Sequence, residues 1–140
     1  DLQLKDKTAL VTGATAGIGL TIAQELAREG AAVTITGREQ DKIKRALHTI
    51  GNGAKGSVAD LSDRSGTNTL FAQLPRVDIL VNNLGIYEPK QFADITDEDW
   101  LRLFQLNVMS GVRLSRYYLP GMLHSGRSKR GETGDPEGVS

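Results

Sequence analysis

The sequence contains no cysteine, only two histidines and four prolines, and its aromatic residues make up 5% of 140 positions. Without cysteine there is no disulfide and no thiolate metal site, which fits a reducing cytoplasm. His48 and His124 are scattered and leave little material for a metal site of any kind, so none is expected. Neither sign of charge predominates, since 17 basic side chains stand against 17 acidic ones. That balance removes the usual electrostatic case for nucleic acid or an anionic membrane as partner. No apolar run approaches the ~20 residues of a membrane span, and no charged-then-apolar leader precedes Leu10. What is present, 39% hydrophobic and 24% charged residues, fits one globular domain. A chain of this length buries roughly two thirds of its unfolded surface. The expectation is a cytoplasmic α/β domain.

Short apolar runs alternate with amphipathic stretches. Residues 8–12 form a partly β-branched run that stops at Gly13, as a buried strand does. Ile18, Ile22, Ala23, Leu26 and Ala27 then recur at helical spacing and predict a helix from Gly17 to Glu29, stopped by Gly30. Residues 32–36 read as a second strand, 41–50 as a second helix closed by Gly51-Asn52-Gly53, and 55–59 as a third strand. Leu70, Phe71 and Leu74 give a third helix its apolar face, and residues 77–81 make the most apolar strand. Such alternation implies a parallel sheet with right-handed crossovers, in the order 3-2-1-4. A longer helix follows, capped by Thr96 and Asp99. Its stripe of Trp100, Phe104, Val108, Leu114, Tyr118 and Met122 is expected to face the core, with Pro120-Gly121 kinking or ending it. From Ser125 to Gly138, fourteen residues carry no aliphatic or aromatic side chain, so residues 125–140 read as a polar, flexible tail behind a domain of residues 1–124.

The strongest chemical signal is the run from Thr12 to Gly19, spaced G-x3-G-x-G between a strand and a helix. Glycines serve where the chain turns tightly and where backbone must approach a pyrophosphate, and the free N–H groups at a helix start suit phosphate. A plain turn is the alternative. Where dinucleotide folds often place a ribose-binding acid, this chain has Thr36-Gly37-Arg38, with no acid before Glu39. Arginine pairs with a 2′-phosphate that an acid would repel, which favours NADP(H) over NAD(H). A solvated loop arginine is the other reading. Asp60-Leu61 stands at the end of the third strand, on the rim where adenine would lie, and Asp60 could equally cap the next helix. Asn82-Asn83-Leu84-Gly85 ends the fourth strand, where asparagines can tie loops together and Gly85 can admit a ligand. Asn107 falls on the apolar stripe of the long helix, either as part of a structural network or pointing into a site. Leaving such an amide unpaired costs about 1–3 kcal/mol. Gly111 on the same stripe suggests a close neighbour.

Together, in this order and spacing across residues 4 to about 124, these pieces resemble the short-chain dehydrogenase/reductase family, with 3-oxoacyl reductases among the relatives suggested. The resemblance implies a Rossmann-type, doubly wound α/β sheet with helices on both faces. It implies that Gly13, Thr15, Ala16, Gly17, Ile18 and Gly19 hold the cofactor's phosphates and ribose, and that Arg38 holds a 2′-phosphate. Asp60 and Leu61 would flank adenine, while Asn83 and Gly85 would line the nicotinamide-side ribose. Asn107 would match an asparagine that supports a proton relay to the catalytic lysine. Leu84 stands where the family usually has alanine.

The family's serine and its Tyr-x-x-x-Lys pair are not found. Four residues beyond Tyr87, Tyr117 and Tyr118 stand Gln91, Gly121 and Met122. A full enzyme of this kind runs to roughly 200–250 residues, so the sequence reads as its first half, ending after the fourth strand and the following long helix. The expected function is an NADP-dependent oxidoreductase moving a hydride between nicotinamide and a small carbonyl or alcohol substrate, with the 140 residues alone inactive. The alternative is a non-catalytic nucleotide-binding or interaction module. An unpaired sheet edge calls for cover, either by a partner chain or by the missing half, and a homo-oligomer is expected.

Overall fold

A computed structural model describes residues 4–83 and 92–132. The expected first strand is β1, Thr8–Val11, and it lies inside the sheet, hydrogen-bonded on both sides. Around it stand β2 (Ala32–Gly37), β3 (Lys55–Val58) and β4 (Ile79–Val81), all parallel, in the order β3-β2-β1-β4. Val11 registers with Ile35 on one side and Val81 on the other, so the strands' carboxyl ends form one rim. Alternation along β1 sends Ala9 and Val11 to one face and Leu10 to the other.

The first face packs against α1 (Gly17–Arg28) and α2 (Gln40–Ile50), with Ala23, Ala27, Ile35, Ile43 and Ala46 buried between them. On the other face Leu10, Leu61, Leu70, Val77, Leu114 and Tyr118 fill the space beneath α3 (Arg64–Gln73) and a later helix. The Rossmann-type arrangement expected from the alternation is therefore present, with helices on both faces. Asp78 accepts from the Thr8 backbone N–H at 2.9 Å and from the Thr8 hydroxyl at 3.1 Å, which holds the entrance of β4 against β1.

The long helical region departs from expectation. It begins as read, with the Thr96 hydroxyl accepting from Asp99 N–H and the Asp99 carboxylate accepting from Thr96 N–H around the start of α4 (Asp97–Phe104). A π-helical turn, Gln105–Met109, then separates α4 from α5 (Ser110–Glu132). Each residue turns an α-helix by about 100°, so the wider turn breaks the phase between the stripes on either side. Leu114 and Tyr118 are buried, whereas Trp100 (51% exposed), Phe104 and Val108 face outward. Helical spacing identifies one face but not what covers it. Nor does Pro120 end the helix, which runs on to Glu132. The missing N–H removes one rung of the ladder, and because Pro120 is exposed its turn can be hydrated. Ile18 also leaves the stripe assigned to it. At 75% exposure it lies on the open side of α1, whose buried line is Gly19, Ala23 and Ala27. Among the described residues no helix is long and apolar enough to cross a membrane.

Candidate functional site

At the carboxyl rim, Thr12 follows β1 and the chain turns through Gly13 with φ +61° and Gly17 with φ +62°. Both values lie in the left-handed region, which glycine occupies without steric cost. Gly19 is required for another reason. A Cβ there would run into the Asn83 side-chain amide and come within 2.8 Å of the Gly13 carbonyl oxygen.

Two buried threonines and one asparagine fix the loop. Thr12 N–H donates to the Val81 carbonyl at 3.1 Å, and its hydroxyl oxygen accepts from Asn83 N–H at 3.0 Å. The Asn83 amide in turn donates to the Gly13 carbonyl at 3.2 Å. From the other side Gly13 N–H donates to the Thr36 hydroxyl at 3.4 Å. The loop is thus held by β1, β2 and β4 together, which explains why a glycine motif here needs a polar residue after the fourth strand. Thr36 and the bonding role of Thr12 escape sequence reading, because a threonine in a strand signals only β-propensity.

The start of α1 differs from those of α3 and α4. Its N-cap is Ala16 and among the described residues no side chain caps it, whereas Asp63 and Thr96 cap α3 and α4; its first turn, like that of α3, carries no acid. Asp63, not Asp60, caps α3, accepting from Gly66 N–H at 2.7 Å. Beside the loop, a cavity of about 370 Å³ opens between Thr15, Ala16 and the α2 cations Lys42 and Arg45. The sequence does not point to these cations, because only the packing of α2 next to the loop brings them there. Lys42 pairs with Glu39 at 3.3 Å on the exposed surface.

The exits of β2 and β3 are joined by Ala59 N–H donating to the Gly37 carbonyl at 3.0 Å. Arg38 and Asp60, both exposed, follow from that junction. Asp60 accepts from the Ser62 hydroxyl at 2.5 Å and from Ser62 N–H at 3.0 Å. The Ser62 hydroxyl bond is the main reason its carboxyl is held below the usual value, and the positive charge of Arg38 contributes less. Leu61 is 1% exposed and belongs to the core under α3 and α5, so it offers the rim its backbone alone. Asn82 ties β4 to α5 by donating to the Ser115 hydroxyl at 3.3 Å. A Cβ on Gly111 would sit 4.0 Å from the Asn82 side chain, an ordinary contact.

Asn107 does not face the core. It lies on the exposed side of the π-helical turn, a kind of turn often found at functional sites. Leu84 and Gly85 lie outside the described residues, as does Tyr87. Neither remaining tyrosine is poised for chemistry at the rim. Tyr118 donates to the Leu74 carbonyl at 2.7 Å, and burial pushes its phenol well above its ordinary range. Tyr117 stacks on Phe71 with ring centres 3.7 Å apart.

The model of the short chain dehydrogenase family matches residues 7–132. The chain belongs to this family. An uncharacterized oxidoreductase of Bacillus subtilis, YvaG, is 50% identical over 127 residues, covering 87% of this chain and 48% of that protein. The 3-oxoacyl-[acyl-carrier-protein] reductase FabG of Haemophilus influenzae is 35% identical over 144 residues, covering 95% of this chain and 60% of its own length. Among solved structures, L-sorbose reductase from Gluconobacter frateurii, complexed with NADPH and L-sorbose, superimposes with a TM-score of 0.76 at 30% identity. That match covers 90% of this chain and 49% of the reductase. The chain thus spans about half the length of the relatives it matches. The family uses a nicotinamide cofactor, and this chain brings a glycine loop, the carboxyl rim of the sheet and the Asn83 tie together at one place. The fit is physical: the loop leaves open space at Gly17, and no side chain caps the helix start that faces it.

Proposed function

We propose that this chain is the cofactor-binding half of an NADP-dependent oxidoreductase acting on a carbonyl or alcohol carbon. The observation that carries the reading is the glycine loop clamped by Asn83 ahead of a helix start with no acid and no side-chain cap. When bound, the nicotinamide gives or takes the hydride. In this proposal the backbone of residues 13–19 orients the pyrophosphate, and exposed Ile18 meets the cofactor as an apolar surface. Asn83 and Gly85 border the nicotinamide-side ribose, while Asp60 and the backbone of Leu61 border adenine.

Arg38 supplies the preference for a 2′-phosphate, supported by Lys42 and Arg45 across the cavity beside Thr15. The NADPH in the sorbose reductase structure supports the same preference by relationship. Asn107 has a supporting place in a proton relay whose acid lies outside these residues. A positioned general acid contributes typically 10²–10⁴ in rate, so the 140-residue chain binds cofactor without appreciable turnover. A cytoplasmic setting belongs to the same proposal and rests on the lack of cysteine.

One observation favours a second reading, that of a module working in a complex. Leu101, Phe104, Leu119 and Leu123 stand half-exposed or more along α4 and α5. A self-associating chain would cover such a row, and size in solution tests for it.

Fluorescence titration with NADPH and NADH decides the main reading. Saturable binding that favours NADPH is expected. Failure of a folded sample to bind either nucleotide would leave the interaction module standing.

A further inference from the structure

Away from the glycine loop, on the opposite face of the sheet, α3 and α5 leave a groove between them with a cavity of about 360 Å³. Each helix lines it with one stripe at helical spacing. Arg64, Thr67, Asn68 and Phe71 come from α3, and Arg113, Arg116 and Tyr117 from α5. The stacked rings of Phe71 and Tyr117, only 7° from parallel, form its apolar wall. Three guanidinium groups line this one concavity, and no carboxylate is among the groups lining it.

That concentration is unusual in a chain with as many acids as bases. Elsewhere two exposed cations have a carboxylate one turn away, Arg28–Glu25 at 2.9 Å on α1 and Lys42–Glu39 at 3.3 Å at the start of α2. Arg113 is held differently. Its guanidinium donates to the Gln105 side-chain oxygen at 2.9 Å and to the Ser62 carbonyl at 3.5 Å, so it is positioned by neutral acceptors that leave its charge uncompensated. Arg64 and Arg116 make no ion pair among the described residues. Like charges gathered on facing helices repel unless an anion joins them.

We propose that this groove is a binding site for an organic phosphate, its phosphoryl group held by Arg64, Arg113 and Arg116 and its planar or apolar part laid against Tyr117 and Phe71. Guanidinium pairs with phosphate in a two-point fork, and three of them match a phosphoryl dianion better than a single carboxylate. The edges of the stacked pair can meet the face of an attached ring in an edge-to-face contact. Thr67 and Asn68 lie between the cations and that wall and supply polar contacts. The site stands apart from the glycine loop, so it does not depend on the cofactor reading.

The test is nuclear magnetic resonance of the whole chain, following arginine side-chain N–H signals while phenyl phosphate is added in phosphate-free, low-salt buffer. Saturable shifts at Arg64, Arg113 and Arg116 are expected, weakened about tenfold in Arg116→Gln and further in the Arg64→Gln/Arg116→Gln pair. Both substituted residues are exposed, so the variants should keep the parent circular dichroism spectrum. Inorganic phosphate should bind the same arginines more weakly, because it lacks the ring. The proposal is overturned by non-saturable shifts, by shifts confined to the amides of residues 13–19, or by an undiminished response in the double variant. Benzoate binding as tightly as phenyl phosphate would equally overturn it, since a carboxylate would then suffice.

Discussion

The side-chain amide of Asn83 donates to the Gly13 carbonyl at 3.2 Å, joining the exit of β4 to a glycine turn 70 residues earlier. The same residue's backbone N–H is taken by Thr12, so its position is fixed before the side chain acts. Asn83→Ala removes one hydrogen bond and leaves a partly buried carbonyl unsatisfied. The expected loss is about 1–2 kcal/mol of stability, with a larger proportional loss of NADPH affinity because the loop is no longer held. Thermal denaturation alongside nucleotide titration checks this. Equal, small effects on both would mean that the tie is only structural.

Gly19→Ala tests the close approach at the same point. In an ordinary helix the change to alanine gains about 1 kcal/mol. Here the added methyl meets the Asn83 amide and the Gly13 carbonyl, so one of them must move. Lower thermal stability and at least tenfold weaker nucleotide binding are expected. A stabilised variant with intact binding would show that the loop yields at no cost.

Much of this was legible in the sequence, for a physical reason. Parallel strands buried on both faces become short apolar runs, and a backbone that must turn left-handed asks for glycine, so Gly13, Gly17 and the strand order could be read directly. The alternation fixes elements but not their surroundings. Trp100 and Phe104 share the spacing of a core stripe, yet what lies against them depends on the phase across the π-helical turn, to which no single residue type points. The family resemblance places Leu61 at the rim, but its side chain is buried because the turn after β3 folds it inward while Asp60 stays out. The arginine groove was illegible because Arg64 and Arg113 are far apart in sequence and only helix packing brings them together.

Arg38 offers a charge test of cofactor choice. Arg38→Asp puts an acid where a 2′-phosphate would lie, next to a region where Asp60 already carries negative charge. NADPH binding should fall by at least tenfold, while NADH binding holds or improves. Measuring both affinities on one preparation separates this from a folding defect. Equal losses for the two nucleotides would remove Arg38 from the specificity argument.

The carboxyl of Asp60 titrates below its ordinary value of 3.8, chiefly because the Ser62 hydroxyl donates to its ionised form. A carboxyl depressed by folding adds stability that is present above its unfolded value and is lost as the pH falls through the folded one. The affected window therefore lies below about pH 4, and neutral conditions leave the contribution intact. In Ser62→Ala the Asp60 carboxyl should titrate closer to its ordinary value, observable by carbon-detected resonance of the side chain. An unchanged titration would assign the depression to Arg38 and its neighbours instead.

Tyr118 permits the opposite kind of prediction, a structural effect without a functional one. Its hydroxyl is bonded to Leu74 under α5, and burial keeps the phenol protonated through the neutral and mildly alkaline range. Tyr118→Phe strands the Leu74 carbonyl in a partly buried site at about 1–2 kcal/mol, while the ring and its packing remain. Thermal stability should fall with NADPH affinity unchanged, because the hydroxyl is committed to the joint between α3 and α5 and has no part at the rim. A loss of nucleotide binding equal to that of Asn83→Ala would mean that this joint transmits to the glycine loop, and that the two cores of the domain do not act independently.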